Sequence, residues 1–149
     1  MIVYSDGAAR GNPGPAGIGA VVRSSRGRVL ARVGKGIGIA TNNVAEYRAA
    51  LEGLRQAAKL GAGRVTLRSD SRLLVEQLAG RFRVKNPTLQ SLHQEVREVM
   101  KDLDDVGFEH VPREANSEAD SLANEGVDEW LRGPGKGYRR PPPDPALFG

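Results

Sequence analysis

The sequence predicts an α/β domain built on a mixed β-sheet. Two observations carry that reading. Apolar runs at strand spacing, broken by tight turns, fill residues 1–39 and favour an antiparallel meander. Beyond residue 40, segments of helical period alternate with short β-like runs, which favours parallel pairing through crossovers. A length of 149 residues fits one domain with a real core.

The elements follow in order. Ile2, Val3 and Tyr4 make a first strand, with Asp6 expected at its end before a glycine-rich turn. Ile18, Ala20, Val21 and Val22 make a second, and Arg23 to Gly27 a hairpin connection. Val29 to Ile39 returns as a third, in which Gly34, Gly36 and Gly38 mark bends. The period then changes. Val44, Tyr47, Leu51, Leu54 and Ala58 recur at helical spacing, with Asn42 or Asn43 as the cap and Gly61 and Gly63 beyond the end. Val65 to Leu67 is a short strand that stops at Arg68-Ser69-Asp70, and a helix follows through Leu74 and Leu78. A further helix carrying Leu89, Leu92, Val96, Val99 and Leu103 starts after Pro87. Val106 to Val111 is the last strand, and Asn116 caps a last helix through Leu122, Ala123 and Val127. No internal repeat is visible. The expected division is a domain over residues 1–130 and a Gly/Pro-rich basic tail or linker over 131–149, which leaves room for a tethered domain.

Composition excludes several chemistries. There is no cysteine, so disulfides, thiolate zinc sites and cysteine nucleophiles are ruled out. The opening residues reach a charge too soon for a signal peptide, and no apolar run approaches the roughly 18 residues of a membrane span. A cytoplasmic monomer with no membrane partner is expected. The net charge is +4, of which the tail carries +3 and residues 1–130 only +1. A basic balance favours a nucleic-acid partner, but here most of it sits outside the domain.

Four acids occupy special places. Asp6 ends the first strand, and Glu46 lies one turn into the first helix. Asp70 stands at a strand-to-helix junction, and Asp120 in the first turn of the last helix. Singly, three have ordinary explanations: Asn43-x-x-Glu46 resembles a capping box, Asp70 suits an N-cap, and Asp120 suits a helix dipole. Asp6 has none, because no helix starts there and a lone buried carboxylate is costly. Ligand sites in α/β sheets lie at strand carboxyl ends, where Asp6 and Asp70 meet if their strands are parallel neighbours. Converging acids repel and raise one another's pKa unless a cation joins them. Oxygen-only ligands suit Mg²⁺ or Mn²⁺ rather than zinc. Two such ions roughly 3.5–4 Å apart can clamp a phosphodiester, and no serine, histidine or cysteine nucleophile is then needed.

The motifs together resemble the ribonuclease H type 1 family. The matches are Tyr4-Ser5-Asp6-Gly7-Ala8, Gly11-Asn12-Pro13-Gly14-Pro15, Gly17-x-Gly19, Thr41-Asn42-Asn43-x-x-Glu46, Ser69-Asp70-Ser71 and Asn116-x-x-Ala119-Asp120-x-Leu122-Ala123. They stand in the family's order and cover residues 1 to about 128. The resemblance implies a five-stranded mixed sheet of order 3-2-1-4-5 flanked by helices. It implies endonucleolytic cleavage of the RNA strand of an RNA–DNA hybrid by two Mg²⁺ ions, with Mn²⁺ as a substitute, leaving 3′-hydroxyl and 5′-phosphate ends. It assigns Asp6, Glu46, Asp70 and Asp120 as metal ligands, with Glu46 also meeting a ribose 2′-hydroxyl. Asn12, Thr41, Asn42 and Asn43 match positions that hold the hybrid, as amide and hydroxyl groups beside a helix start are able to do. Two alternatives stay open: a non-catalytic hybrid- or double-stranded-RNA-binding module, and a DNA-cutting nuclease of the same superfamily.

Two departures from the family stand out. Many members carry a loop histidine before the last aspartate; here the segment is Val111-Pro112-Arg113-Glu114-Ala115-Asn116, without one. His110 reads as part of the strand, and Arg113 is the candidate that partly replaces the lost group as a phosphate or product contact. Many members also carry a basic protrusion. Here Gly80 to Pro87 leaves no room for it, so Arg81, Arg83 and Lys85 around Phe82, together with the tail cations, are the candidates for the missing contacts.

Overall fold

The computed structural model describes residues 1–141. Strands β1 (Ile2–Ala9), β2 (Gly14–Arg23) and β3 (Val29–Ala40) form an antiparallel meander. Helix α1 (Asn42–Lys59) leads to β4 (Arg64–Ser69), and the short α2 (Arg72–Leu78) and α3 (Pro87–Met100) lead to β5 (Asp105–His110). A 3-10 turn (Arg113–Asn116) then enters α4 (Ser117–Arg132). The sheet order is β3-β2-β1-β4-β5, with β1–β4 and β4–β5 parallel, as the resemblance implied. No helix among the described residues is long and apolar enough to cross a membrane.

Side chains alternate between the two faces of the sheet, and each face lies under a different helix, so β2 is buried along almost its whole length. Val3 lies against Gly53 of α1, and that layer continues into Tyr47, Leu51, Leu54, Leu67 and Val96, all buried. The Tyr47 hydroxyl donates to Gln77 Oε1 at 2.6 Å, so the one phenol in that core is satisfied. On the other face α4 lies directly on β2. A Cβ at Gly19 would overlap the carbonyl of Ala119, so only glycine permits that approach. Gly38 has φ +80° beside a register shift between β2 and β3, which is the bend expected of it.

Four local expectations are corrected. Asp6 does not end its strand: β1 continues to Ala9 because its ladder to β2 runs on to Ala9↔Ala16. What ends is the parallel ladder to β4, whose last pair is Tyr4↔Arg68, so Asp6 lies just past one ladder while still inside the other. Likewise β2 starts at Gly14 rather than near Ile18, since backbone pairing reaches back into the glycine-proline stretch. The cap of α1 is Thr41, whose hydroxyl accepts from Val44 N at 3.2 Å, not Asn42 or Asn43; its β-region backbone leaves both asparagines inside the helix. Asn116 holds the N-cap position of α4 but makes no capping bond: its Nδ2 donates to the Ser5 carbonyl at 2.8 Å, which aims the side chain at β1, and its Oδ1 is buried without a partner.

The domain end also differs from the expected boundary. Helix α4 runs to Arg132, the Gly135 amide donates to the Trp130 carbonyl, and the Tyr138 ring lies tilted against the Trp130 ring with centroids 6.3 Å apart. The first residues of the expected tail are thus folded onto the helix end. Residues 142–149 lie outside the described residues.

Candidate active site

Gly7 sets the geometry of the site. A Cβ there would overlap the backbone of Ala45 and Glu46, so its absence lets the start of α1 press against β1. That contact brings Glu46, one turn into α1, beside Asp6, one residue before the glycine. Asp70 follows the last residue of β4, and Ser71 rather than Asp70 caps α2 through its hydroxyl, which frees the Asp70 carboxylate.

Asp6, Glu46 and Asp70 each offer a carboxylate oxygen within 4.8 Å of the others. Asp120 stands outside that tight group but lines the same cleft of about 580 Å³, with Asn42, Arg113 and His110. Asp6 and Glu46 are 5% and 6% exposed, and Glu46 Oε2 is buried without a hydrogen-bond partner. Such an arrangement is unfavourable for anions alone. Burial first, then the charges of Glu46 and Asp70, push the Asp6 carboxyl up to about 10. Burial likewise pushes Glu46 up to about 8, against a partial offset from Asp6. A divalent cation fits this site on its own terms, since the converging donors are all hard carboxylate oxygens and one of them lacks any partner.

The raised values carry a prediction for the metal-free protein. Between the unfolded values near 4 and the folded values near 8–10, the native state holds protons that the unfolded chain has released. Stability is then fully present below the unfolded values and lost as pH rises through that window. Melting temperature measured with chelator at pH 5, 7 and 8.5 is expected to fall steadily. Saturating Mg²⁺ is expected to flatten the trend, and a rising trend would contradict it.

A second cleft of about 250 Å³ opens on the other side of the α1 start. Asn12, Thr41 and Asn43 line it, joined by Asn86 and Thr88 from the start of α3. Asn12 Oδ1 also accepts from Asn42 N at 3.1 Å, which ties the β1–β2 hairpin to the helix. The nine residues singled out from sequence therefore divide between two adjoining clefts: Asp6, Asn42, Glu46, Asp70, Arg113 and Asp120 in one, Asn12, Thr41 and Asn43 in the other.

Sequence reasoning passed over Asn124, Asn86 and Thr88, and set His110 aside as part of the strand although it lines the carboxylate cleft. His110 ends β5, and its Nε2 lies 3.2 Å from the Asp70 carbonyl. Asn86 caps α3, accepting from Thr88 N and Leu89 N. Residues 79–86 join α2 to α3 without a helix of their own.

Comparison with known proteins agrees with this geometry. Residues 4–126 match the family model described as reverse transcriptase-like. The bifunctional protein Rv2228c of Mycobacterium tuberculosis is 46% identical over 129 residues, which is 86% of this chain but only 35% of that protein. A ribonuclease H of Polynucleobacter asymbioticus is 35% identical and is covered over 92% of its length, against 88% of this chain. RNase H1 of Halobacterium salinarum superposes with a TM-score of 0.83 at 44% identity, covering 86% of this chain and 97% of that one. LC11-RNase H1, solved in complex with an RNA/DNA hybrid, gives 0.83 at 41% identity, with 87% and 98% covered. With the fold, the carboxylate cluster and these relatives in agreement, the chain belongs to the ribonuclease H family.

Proposed function

We propose that this chain is an endoribonuclease that hydrolyses the RNA strand of RNA–DNA hybrids, using Mg²⁺ with Mn²⁺ as a substitute. The observation that carries the reading is the convergence of Asp6, Glu46 and Asp70 within 4.8 Å, with Asp120 in the same cleft. A pure binding module gains nothing from two buried carboxylates that repel each other. The relative solved with an RNA/DNA hybrid supports the choice of substrate.

Asp6, Glu46, Asp70 and Asp120 would hold the cations. When bound, two divalent cations activate a water for attack on phosphorus and stabilise charge on the leaving oxygen. The protein's own part is placement. Asn42 and Asn43 lie on opposite sides of the α1 start, each in one cleft. A duplex laid across that start puts the cleaved strand against the carboxylates and the other strand against Asn12, Thr41 and Asn43. The amide and hydroxyl groups there suit a phosphate and its sugar. Glu46 accepts from a ribose 2′-hydroxyl, which selects RNA over DNA. The test is a hybrid end-labelled on either strand. Fragments of the RNA strand alone, with 3′-hydroxyl and 5′-phosphate ends, are expected; cut DNA strand or 3′-phosphate ends would overturn the reading.

Arg113 takes the place of the family's loop histidine as an electrostatic contact. It begins the 3-10 turn, lines the carboxylate cleft and is in no ion pair among the described residues. Its guanidinium holds phosphate but moves no proton near neutral pH. Arg113→Ala is expected to lower turnover about tenfold, the value of one hydrogen bond to a charged group, with Arg113→Lys intermediate. Steady-state kinetics unchanged by Arg113→Ala would remove the assignment.

A further inference from the structure

We propose that Asn124, oriented by Arg10, is a positioning residue that presents the Asp120 carboxylate to the cation cluster. The inference rests on the reading of the four acids as cation ligands and deepens it. Asp120, Asn124 and Asp128 recur every fourth residue on one face of α4. Asn124 Nδ2 donates to Asp120 Oδ1 at 3.3 Å and to the Asp120 carbonyl at 3.0 Å. Arg10, just past the end of β1, donates from Nη2 to Asn124 Oδ1 at 3.4 Å and to the Asn124 carbonyl at 3.3 Å. Its Nη1 donates to Asp128 Oδ1 at 2.6 Å.

Three consequences follow from this geometry. First, an amide side chain accepts at one end and donates at the other. With Arg10 on its oxygen, the Asn124 nitrogen must face Asp120, so the amide cannot flip away. Second, the bond engages one Asp120 oxygen and limits rotation of the carboxylate, leaving its other oxygen to the cluster. Asp120 is not among the three acids whose oxygens lie within 4.8 Å of one another and reaches them through the Asp6 carboxyl, so its orientation decides how it joins them. Third, Arg10 extends the strand that carries Asp6, while Asn124 belongs to the helix that carries Asp120. The clamp therefore ties together two elements that each supply a ligand. Its role is orientation more than stability, because Arg10 and Asp128 are 41% and 48% exposed and such pairs contribute little.

The test is calorimetric titration of the full chain with Mg²⁺ in the absence of nucleic acid, alongside steady-state cleavage of a hybrid. Asn124→Ala is expected to weaken cation binding and to lower kcat by about tenfold or more, the usual cost of losing a partner to a metal ligand. KM for the hybrid and the metal-free melting temperature are expected to stay close to the parent's. Arg10→Lys is expected to behave as Arg10→Ala, since an ammonium does not reproduce the fork that reaches Asn124 and Asp128 together. A simple phosphate contact would instead survive the lysine and appear in KM. Asp120→Asn serves as the reference. If it weakens cation binding and Asn124→Ala does not, the inference fails and the functional reading stands. If neither weakens it, both fail. A loss in Asn124→Ala that tracks a lowered metal-free melting temperature also overturns the inference, in favour of a structural role.

Discussion

Asp6→Asn is expected to abolish hydrolysis while leaving the fold intact and the metal-free protein more stable. Asp6 is buried between β1 and α1 with two other carboxylates within 4.8 Å. An amide of the same shape keeps the packing but removes an anionic ligand from the centre of the cluster. The loss in kcat is expected to be ~10³-fold or more, since cation stabilisation of the reaction is worth several kcal/mol and each 1.4 kcal/mol is tenfold. Stability moves the other way. Burial and like charge hold Asp6 far above its ordinary value, and a neutral group there relieves both. Melting with chelator at pH 8.5 is therefore expected to occur at a higher temperature in the variant than in the parent. At pH 5, where the parent's group is already protonated, the two are expected to converge. An active variant, or one less stable at both pH values, contradicts this view of the site.

Gly7→Ala is expected to damage fold and site together. The added Cβ would collide with the backbone of Ala45 and Glu46, not with a side chain free to turn aside. Helix α1 must then retreat from β1, and Glu46 retreats with it. Backbone overpacking of this kind costs about 3 kcal/mol or more, or roughly 6–12 °C in melting temperature for a chain of this size. Activity is expected to fall even at temperatures where the variant is fully folded, because Glu46 no longer meets Asp6 and Asp70. Gly107→Ala on β5 is the control, since nothing lies within 4 Å of its Cβ position. Unchanged melting and kinetics in Gly7→Ala would show that the close approach does not set the site.

The two effects explain why most of this protein was legible in its sequence. Helical and strand periods are local, so the element order and the switch from meander to alternating units could be read directly. Alternating units favoured parallel pairing, and the resemblance implied that β1 and β4 are neighbours; they are, and Asp6 and Asp70 meet in one cleft although β1 runs on past Asp6. What escaped were competitions that only tertiary contacts decide. Thr41, Asn42 and Asn43 are all competent caps, and the backbone's entry angle chose Thr41. Asn116 sits at a cap position, yet the buried Ser5 carbonyl claims its amide. Asp6 looked like a strand terminus because a carboxylate and glycine break the apolar run, but the ladder to β2 needs only backbone. His110 and Asn124 carry no motif; their place beside Asp70 and Asp120 comes from the ends of β5 and the face of α4. The tail misled in part, since the glycine-rich turns that bring Tyr138 back against Trp130 carry no period to read.

The most direct measurement is cleavage of four labelled substrates by the full chain: an RNA–DNA hybrid, single-stranded RNA, double-stranded RNA and double-stranded DNA. Each is incubated with Mg²⁺, with Mn²⁺, and with either ion plus excess chelator. The carboxylate cluster and the paired clefts predict cutting of the hybrid's RNA strand with either ion and none with chelator. Cleavage that persists in chelator, or cleavage of DNA with the hybrid left intact, would contradict the account.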